Sequence, residues 1–477
     1  MIRPVWQAGG SVLLAVLAWQ PADAQVQSAE AGLTLAAAVE QAVNANPEVL
    51  RAREAIEEFQ LRVREARAEA LPQVESSLGV SRTRDPGLRN SPFFSRIGEL
   101  PPEALQPFYL NNFFYQVDVE QPIYTFGRVS AALRAASTEL EGVQLDVRTA
   151  EFLVARDTAL AYLDMLLAEQ RRAVLESELR AREQQVQQVQ VRTDLGDATR
   201  LDLLNAQVAL ANVRPQILAA DNDIRVQRAR LNETMGLPVE QPVVLAENLA
   251  LPDPLPSVPD AQRLLELAVS QRPEIRRFEI DRAFLDEAAS VRQSDLKPEI
   301  TANASLGVNT FQTENLYKFD DFHNWTVGVN VNWTLFDGYR TQAGVGQLRS
   351  QQRQSELLEQ SFRAALARDL ESAVGTWERA VEAVEVAAFT VTQAREAVRV
   401  AADSFQYGAA TVLETLESQR AQRQSELSLL EAVHGALGAL IDLKYLVGLR
   451  PDAPGALLSV PPPADPVADL AVSRTTP

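Results

Sequence analysis

The stretch Trp325-Thr326-Val327-Gly328-Val329-Asn330-Val331-Asn332-Trp333-Thr334-Leu335 alternates between apolar and polar residues from end to end. Successive side chains of a β-strand point to opposite faces. Trp325, Val327, Val329, Val331, Trp333 and Leu335 therefore share one face, and Thr326, Gly328, Asn330, Asn332 and Thr334 the other. At about 3.3 Å per residue the two tryptophans stand roughly 26 Å apart along the strand. Once the strand is tilted, that spacing matches the aromatic girdles that flank an apolar band of about 25 Å in a membrane-spanning barrel. A soluble sheet lying on a core would also show one apolar face. The girdle spacing favours lipid.

Three further stretches carry the same pattern. Ile300, Ala302, Ala304, Leu306 and Val308 oppose Thr301, Asn303, Ser305 and Asn309. Val74, Ser76, Leu78 and Val80 form one more face, and Phe113, Tyr115, Val117 and Val119 lie opposite Gln116, Asp118 and Glu120. Acids on the polar face suit a watery lumen better than a second core. Strands are expected at about 73–83, 113–123, 299–309 and 325–336. Backbone groups in lipid must all be paired, so a spanning sheet has to close into a barrel. The smallest membrane barrels have about eight strands, so four cannot close and the chain must oligomerise. Three copies would give twelve strands and two would give eight; strand counting alone leaves both open.

Outward from the strands, the chain repeats itself. Asn46-Pro47-Glu48-Val49 returns as Arg272-Pro273-Glu274-Ile275, and Leu71-Pro72 as Lys297-Pro298. Phe126-Gly127 matches Asp337-Gly338, and Ala155-Arg156-Asp157 matches Ala367-Arg368-Asp369. Gly196-Asp197-Ala198-Thr199 matches Gly408-Ala409-Ala410-Thr411, and Met235-Gly236-Leu237 matches Val447-Gly448-Leu449. Such self-similarity in register marks a duplicated unit. The first repeat is expected at 25–237 and the second at 260–449, joined by a Pro-rich linker at 238–259 and followed by a Pro-rich flexible tail at 450–477. Residues 1–24 read as a secretory signal: Arg3, the apolar run Val12 to Trp19, and the small-x-small site Ala22-Asp23-Ala24.

Each repeat also holds a run without proline, Arg128 to Leu195 and Gly338 to Tyr407. At about 1.5 Å per residue each helix spans on the order of 100 Å. In the second, Leu370, Trp377, Val384, Val391 and Val398 recur every seventh position with Val374, Val381 and Ala388 between them, an a/d seam. Leu133, Leu140, Val147 and Val154, then Leu153, Leu160, Leu167 and Val174, do the same in the first. Shorter helices are expected at Pro47 to Ala70, at 200–235 and at 412–447, so that two stacked short helices lie beside a long one. The fold class is thus an α+β membrane protein, long coiled-coil helices continuous with a β-barrel.

Composition excludes several functions. The net charge of -19 argues against nucleic acid, and the lack of cysteine removes disulfides, thiol catalysis and thiolate metal sites. His323 and His434 stand without a Cys, Ser or carboxylate constellation, and no phosphate-binding glycine loop occurs. No catalysis, cofactor or metal is expected. A periplasmic coiled-coil scaffold is the alternative reading, but a scaffold needs neither a signal peptide nor lipid-patterned strands.

The arrangement resembles the TolC family of outer-membrane efflux and secretion proteins over essentially the whole mature chain. The residues that carry the resemblance are Asn46-Pro47-Glu48, Gln121-Pro122-Ile123-Tyr124-Thr125-Phe126-Gly127-Arg128 and Leu335-Phe336-Asp337-Gly338-Tyr339-Arg340. Tyr407-Gly408-Ala409-Ala410-Thr411-Val412-Leu413-Glu414 and Val447-Gly448-Leu449 complete the set. The resemblance implies a homotrimer whose twelve-stranded barrel in outer-membrane lipid continues as a helical tunnel across the periplasm. It implies a passive exit duct of a tripartite efflux pump or a type I secretion system. Its partners would be a periplasmic adaptor (membrane fusion) protein and an inner-membrane pump of RND or ABC type.

Two helix–turn–helix tips share one pattern: Gly196, Thr199, Asp202 and Gly408, Thr411, Glu414. Glycine ends a long helix, threonine caps the next, and the acid three residues on completes a capping box. The resemblance adds that the tips form the periplasmic entrance and the adaptor contact. Glu414 and Glu417 fall at its aperture carboxylates and Asp202 at its gate-linking carboxylate. Ala410 stands where the family pattern has a basic gate-link residue, so that ion pair cannot form; Arg200 on the opposite tip is the candidate substitute.

Overall fold

A computed structural model describes residues 32–85, 108–252, 258, 260–310 and 323–452. The expected signal peptide, the tip of the loop between the first two strands and the tail beyond 452 lie outside the described residues.

The first half runs α1 (Leu35–Ala45), α2 (Pro47–Ala68), β1 (Gln73–Asp85), β2 (Phe108–Tyr124), α3 (Arg128–Leu195), α4 (Arg200–Ala211) and α5 (Val213–Thr234). The second runs α6 (Ala261–Gln271), α7 (Pro273–Gln293), a 3-10 turn (Ser294–Leu296), β3 (Glu299–Thr310), β4 (His323–Asn332), α8 (Arg340–Gln406) and α9 (Val412–Val447). The short-to-long order is the same in both. Asn46 caps α2, its side chain accepting from the Glu48 N–H at 2.8 Å, with Pro47 at the first helical position where a missing N–H costs nothing. Pro273 opens α7 in the same way.

Several boundaries depart from the sequence reading: β2, for one, begins at Phe108 rather than at about 113, paired with Asp85 of β1. The strand expected to reach 336 stops at Asn332, because its partner β3 begins at Glu299, opposite Asn332, directly after Pro298. Trp333, Leu335 and Phe336 therefore lie beyond the sheet, exposed, and the Trp333 indole donates to the Leu296 carbonyl at 3.1 Å. The helix expected unbroken over 200–235 is two helices with a break at Asn212. Pro215 explains it: its nitrogen cannot donate to Ala211, four residues back, and its ring crowds that carbonyl. The second long helix starts at Arg340 rather than Gly338, because Gly338 and Tyr339 both take left-handed backbone angles.

The four strands form one antiparallel sheet in the order β1-β2-β3-β4. Its register aligns the apolar residues of all four strands in rows. Val74 faces Val119, Val119 faces Ala304 and Ala304 faces Val327; Ser76, Val117, Leu306 and Trp325 form the next row. Residues directly opposite share a face, so one face is apolar across the whole sheet. Among the described residues it covers nothing: Trp325 is 74% exposed, Val327 72% and Val329 67%. The other face carries Glu75, Asp118, Ser305 and Thr326 in one row and Gln73, Glu120 and Asn303 in another. On that face the Gln116 amide donates to Asp118 at 2.6 Å. Phe114 is the exception: its ring lies over Gly79, where a Cβ would come within 2.1 Å. Among the described residues, β1 and β4 each leave an edge unpaired.

The helices repeat one packing theme. α1 sits on α3 and α5 around Val39, Ala42, Tyr162, Met165, Leu231 and Met235, and α6 sits on α8 and α9 around Leu264, Ala268, Leu366, Leu370, Leu443 and Val447. The buried Tyr162 hydroxyl donates to the Leu33 carbonyl at 2.8 Å, and burial raises its pKa. Along α8, Leu370, Trp377 and Val391 are buried at the heptad spacing while Val384 and Val398 are half-buried. α3 and α7 join the halves through Arg277, which lies against Gly142 and reaches Glu139 at 2.9 Å and Asp281 at 2.6 Å. Among the described residues no helix is long and apolar enough to cross a membrane.

Candidate functional site

The two tips are built alike, from the C-terminus of a long helix and the N-terminus of a shorter one. Gly196 and Gly408 adopt φ of 87° and 74°, a left-handed conformation that costs other residues a steric clash with their Cβ. Each turn then closes a pair of helix-ending bonds: Gly196 N–H to Thr193 and Asp197 N–H to Arg192, and Gly408 N–H to Phe405 and Ala409 N–H to Ser404.

Thr199 and Thr411 cap the outgoing helices. The Thr199 hydroxyl accepts from the Asp202 N–H at 3.2 Å, and the Asp202 carboxylate accepts from the Thr199 N–H at 2.9 Å. Thr411 and Glu414 repeat the box at 3.2 Å and 2.7 Å. In both, the threonine hydroxyl also donates to the carboxylate, at 2.7 Å and 3.0 Å. The Thr411 backbone N–H and then its hydroxyl hold the Glu414 carboxyl below its ordinary pKa. Glu414 thus stays ionised beside the positive end of its helix. Glu417, one turn further, is exposed on α9. The expected capping boxes are present; neither carboxylate reaches the opposite tip.

Apolar packing joins the tips, and further along the hairpins Arg182 donates to Gln419 at 2.8 Å and Arg423 meets Glu178 at 3.1 Å. Val189 and Ala206 of the first hairpin bury against Val412 of the second, with Val186, Leu203, Phe405 and Leu416 packed around them. Arg192, near the end of α3, crosses from one hairpin to the other. Its guanidinium donates to the Phe405 carbonyl at 3.0 Å and the Gln406 carbonyl at 3.4 Å, and stacks 4.2 Å from the centre of the Phe405 ring. The sequence reading missed this residue. Arg200 is exposed and makes no ion pair among the described residues.

Further along the wall lies a partner set the sequence did not disclose. His434 of α9 meets Asp164 of α3 at 2.8 Å, and Asp164 also holds Arg230 of α5 at 2.9 Å. The three helices bring together residues up to 270 positions apart. His323 opens β4 at its exposed end.

An uncovered apolar sheet face, a polar reverse face, two open strand edges and long helices that carry no membrane span define a protomer of an outer-membrane channel with a periplasmic helical extension. The chain belongs to the outer membrane efflux protein family, whose model matches residues 38–237 and 264–449. It is similar to the pyoverdine export outer membrane protein OpmQ of Pseudomonas aeruginosa, 27% identical over 373 residues, covering 75% of this chain and 74% of that one. It is also similar to nodulation protein T of Rhizobium leguminosarum bv. trifolii, 23% identical over 346 residues, 70% of this chain and 71% of that one. In fold it resembles the Campylobacter jejuni CmeC outer membrane channel, with a TM-score of 0.71 at 14% identity over 95% of both chains.

Proposed function

We propose that three copies of this chain close one twelve-stranded barrel, with the apolar sheet face toward lipid and the Asp118 and Glu120 face toward water, and that their helices continue it as a conduit through the periplasm. Trp325 and Trp333 mark the two margins of the lipid band. The observation that carries the reading is the sheet: among the described residues its apolar face covers nothing, and both of its edges are unpaired. Either feature would be costly in a lone soluble chain.

The paired tips form the periplasmic entrance. Threefold symmetry turns Glu414 and Glu417 into rings of carboxylates that favour cations over anions, and Asp202 stands on the neighbouring tip at the rim. The capped turns around Gly196, Thr199, Gly408 and Thr411, with the grooves beside them, receive the helical hairpin of a periplasmic adaptor by helix-to-helix packing. The adaptor connects the conduit to an inner-membrane pump, and the energy for transport comes from that pump. The chain itself performs no chemistry. The relatives include an export protein and a nodulation protein, and the cargo is selected by the pump.

The test is ion selectivity in planar bilayers. Glu414→Gln with Glu417→Gln should weaken both cation preference and block by a trivalent cation. Selectivity equal to that of the unaltered channel would remove these residues from the aperture. The genes beside this one would separate an efflux pump from a secretion transporter.

A further inference from the structure

We propose that a cavity in the helical wall, lined by α2, α3, α7 and α8, binds an amphiphilic organic cation, an apolar aromatic body that carries an ammonium group. The cavity has a volume of 540 Å³, within the roughly 300–1,000 Å³ of small-molecule pockets. Along α3 it lies on the order of 80 Å from the tip at Gly196, so it does not depend on how the entrance is read.

The walls supply aromatic faces. Phe59, Phe278 and Phe284 line the cavity, and each is only half-buried. An aromatic face attracts a cation, and one ring is already used in this way: the Arg62 guanidinium lies 4.3 Å from the centre of Phe59. Arg62 is itself balanced by Glu58 at 2.6 Å. Among the described residues no cation lies over Phe278 or Phe284.

The walls also carry unbalanced negative charge. Glu139 and Asp281 line the cavity, with Asp146 two turns beyond Glu139 on α3. All three acids gather on the single guanidinium of Arg277, Glu139 at 2.9 Å, Asp281 at 2.6 Å and Asp146 at 3.3 Å. Burial first, and the charges of Glu139 and Asp146 against the pull of Arg277, hold the Asp281 carboxyl above its ordinary pKa. A second cation beside these acids would relieve that strain.

Ser355 of α8 is an independent sign of a ligand. It lines the cavity, is 9% exposed, and its hydroxyl has no hydrogen-bond partner among the described residues. A serine within a helix commonly donates back to the carbonyl four residues earlier, and a buried hydroxyl left alone is costly. An ammonium N–H donating to this oxygen would satisfy it.

The experiment uses the full oligomer in lipid nanodiscs, with empty nanodiscs as the background. Fluorescence anisotropy follows protonated 9-(aminomethyl)anthracene, and 9-anthracenecarboxylate presents the same body with the opposite charge. The ammonium probe should bind saturably, one per chain, and the carboxylate at least about tenfold more weakly. Glu139→Gln keeps an acceptor for Arg277 and removes one charge, and should weaken the ammonium probe by about tenfold. Phe284→Leu should weaken it by about threefold. Ala136→Phe fills the cavity from α3 without touching a charge and should abolish binding; it carries the test if Glu139→Gln fails to assemble. Glu414→Gln with Glu417→Gln should leave probe binding unchanged, so this site and the carboxylate ring fail separately. No saturable binding of the ammonium probe by the unaltered oligomer overturns the proposal, and is the result expected if a second copy fills the cavity. Equal binding of the two probes, or undiminished binding by Ala136→Phe, overturns it as well.

Discussion

At the scale of single residues, one side chain at the tip would serve a fold and a gate at once. The Glu414 carboxylate completes a capping box and, in the proposed threefold ring, would face permeating ions. Thr411→Ala should cost about 1 kcal/mol of local helix stability, seen as roughly fivefold faster tryptic cleavage at Arg420 in the assembled protein. The pH dependence follows from the lowered pKa of Glu414. A depressed carboxyl keeps its contribution above its unfolded value, about 4.3, and loses it only as pH falls through the folded one. Cation selectivity should therefore hold from pH 7 to about pH 5 and decline only below the ordinary glutamate range. A loss near pH 6 would contradict this. The caps were legible in sequence because Gly, Thr and acid are spaced within a single turn of helix. Arg192 with Phe405, and His434 with Asp164, were not, because each pair is separated by more than 200 positions. Their meeting depends on how the helices align, which no local pattern records.

At the scale of elements, the expected ends of α3 and α9 coincide with those of the structure, because a glycine ends the one and a capping threonine opens the other. Periodicity failed where a neighbour decides. Apolar alternation continues through Trp333 and Leu335, but pairing ends at Asn332 for want of a partner strand. The break at Asn212 was missed because Pro215 falls inside an otherwise regular helical pattern. The strand pattern itself makes a sharp prediction. Val329 sits mid-strand on the uncovered face, opposite Ala302. Val329→Arg should destabilise the membrane-inserted state by about 2–4 kcal/mol, whereas Asn330→Arg on the reverse face should cost far less. Urea titration of refolding into lipid vesicles distinguishes them, and equal costs would mean that the two faces are not sided as described.

At the scale of the whole molecule, the proposed assembly runs through the sheet edges. Native mass spectrometry of the detergent-purified mature protein should give three chains, and a monomer stable without detergent would contradict the barrel. The even number of strands has a consequence of its own. Because β1 and β4 of an antiparallel four-stranded sheet run in opposite directions, in the proposed barrel the β4 of one copy would meet the β1 of the next already antiparallel. The up-and-down alternation would then continue unbroken around the ring, and every chain would enter and leave the bilayer from the same side. A subunit with three or five strands would force a parallel seam at each junction or strand one helix outside the cell. Parity within the duplicated chain, two strands in each half, is what would let it build a seamless cylinder by rotation alone.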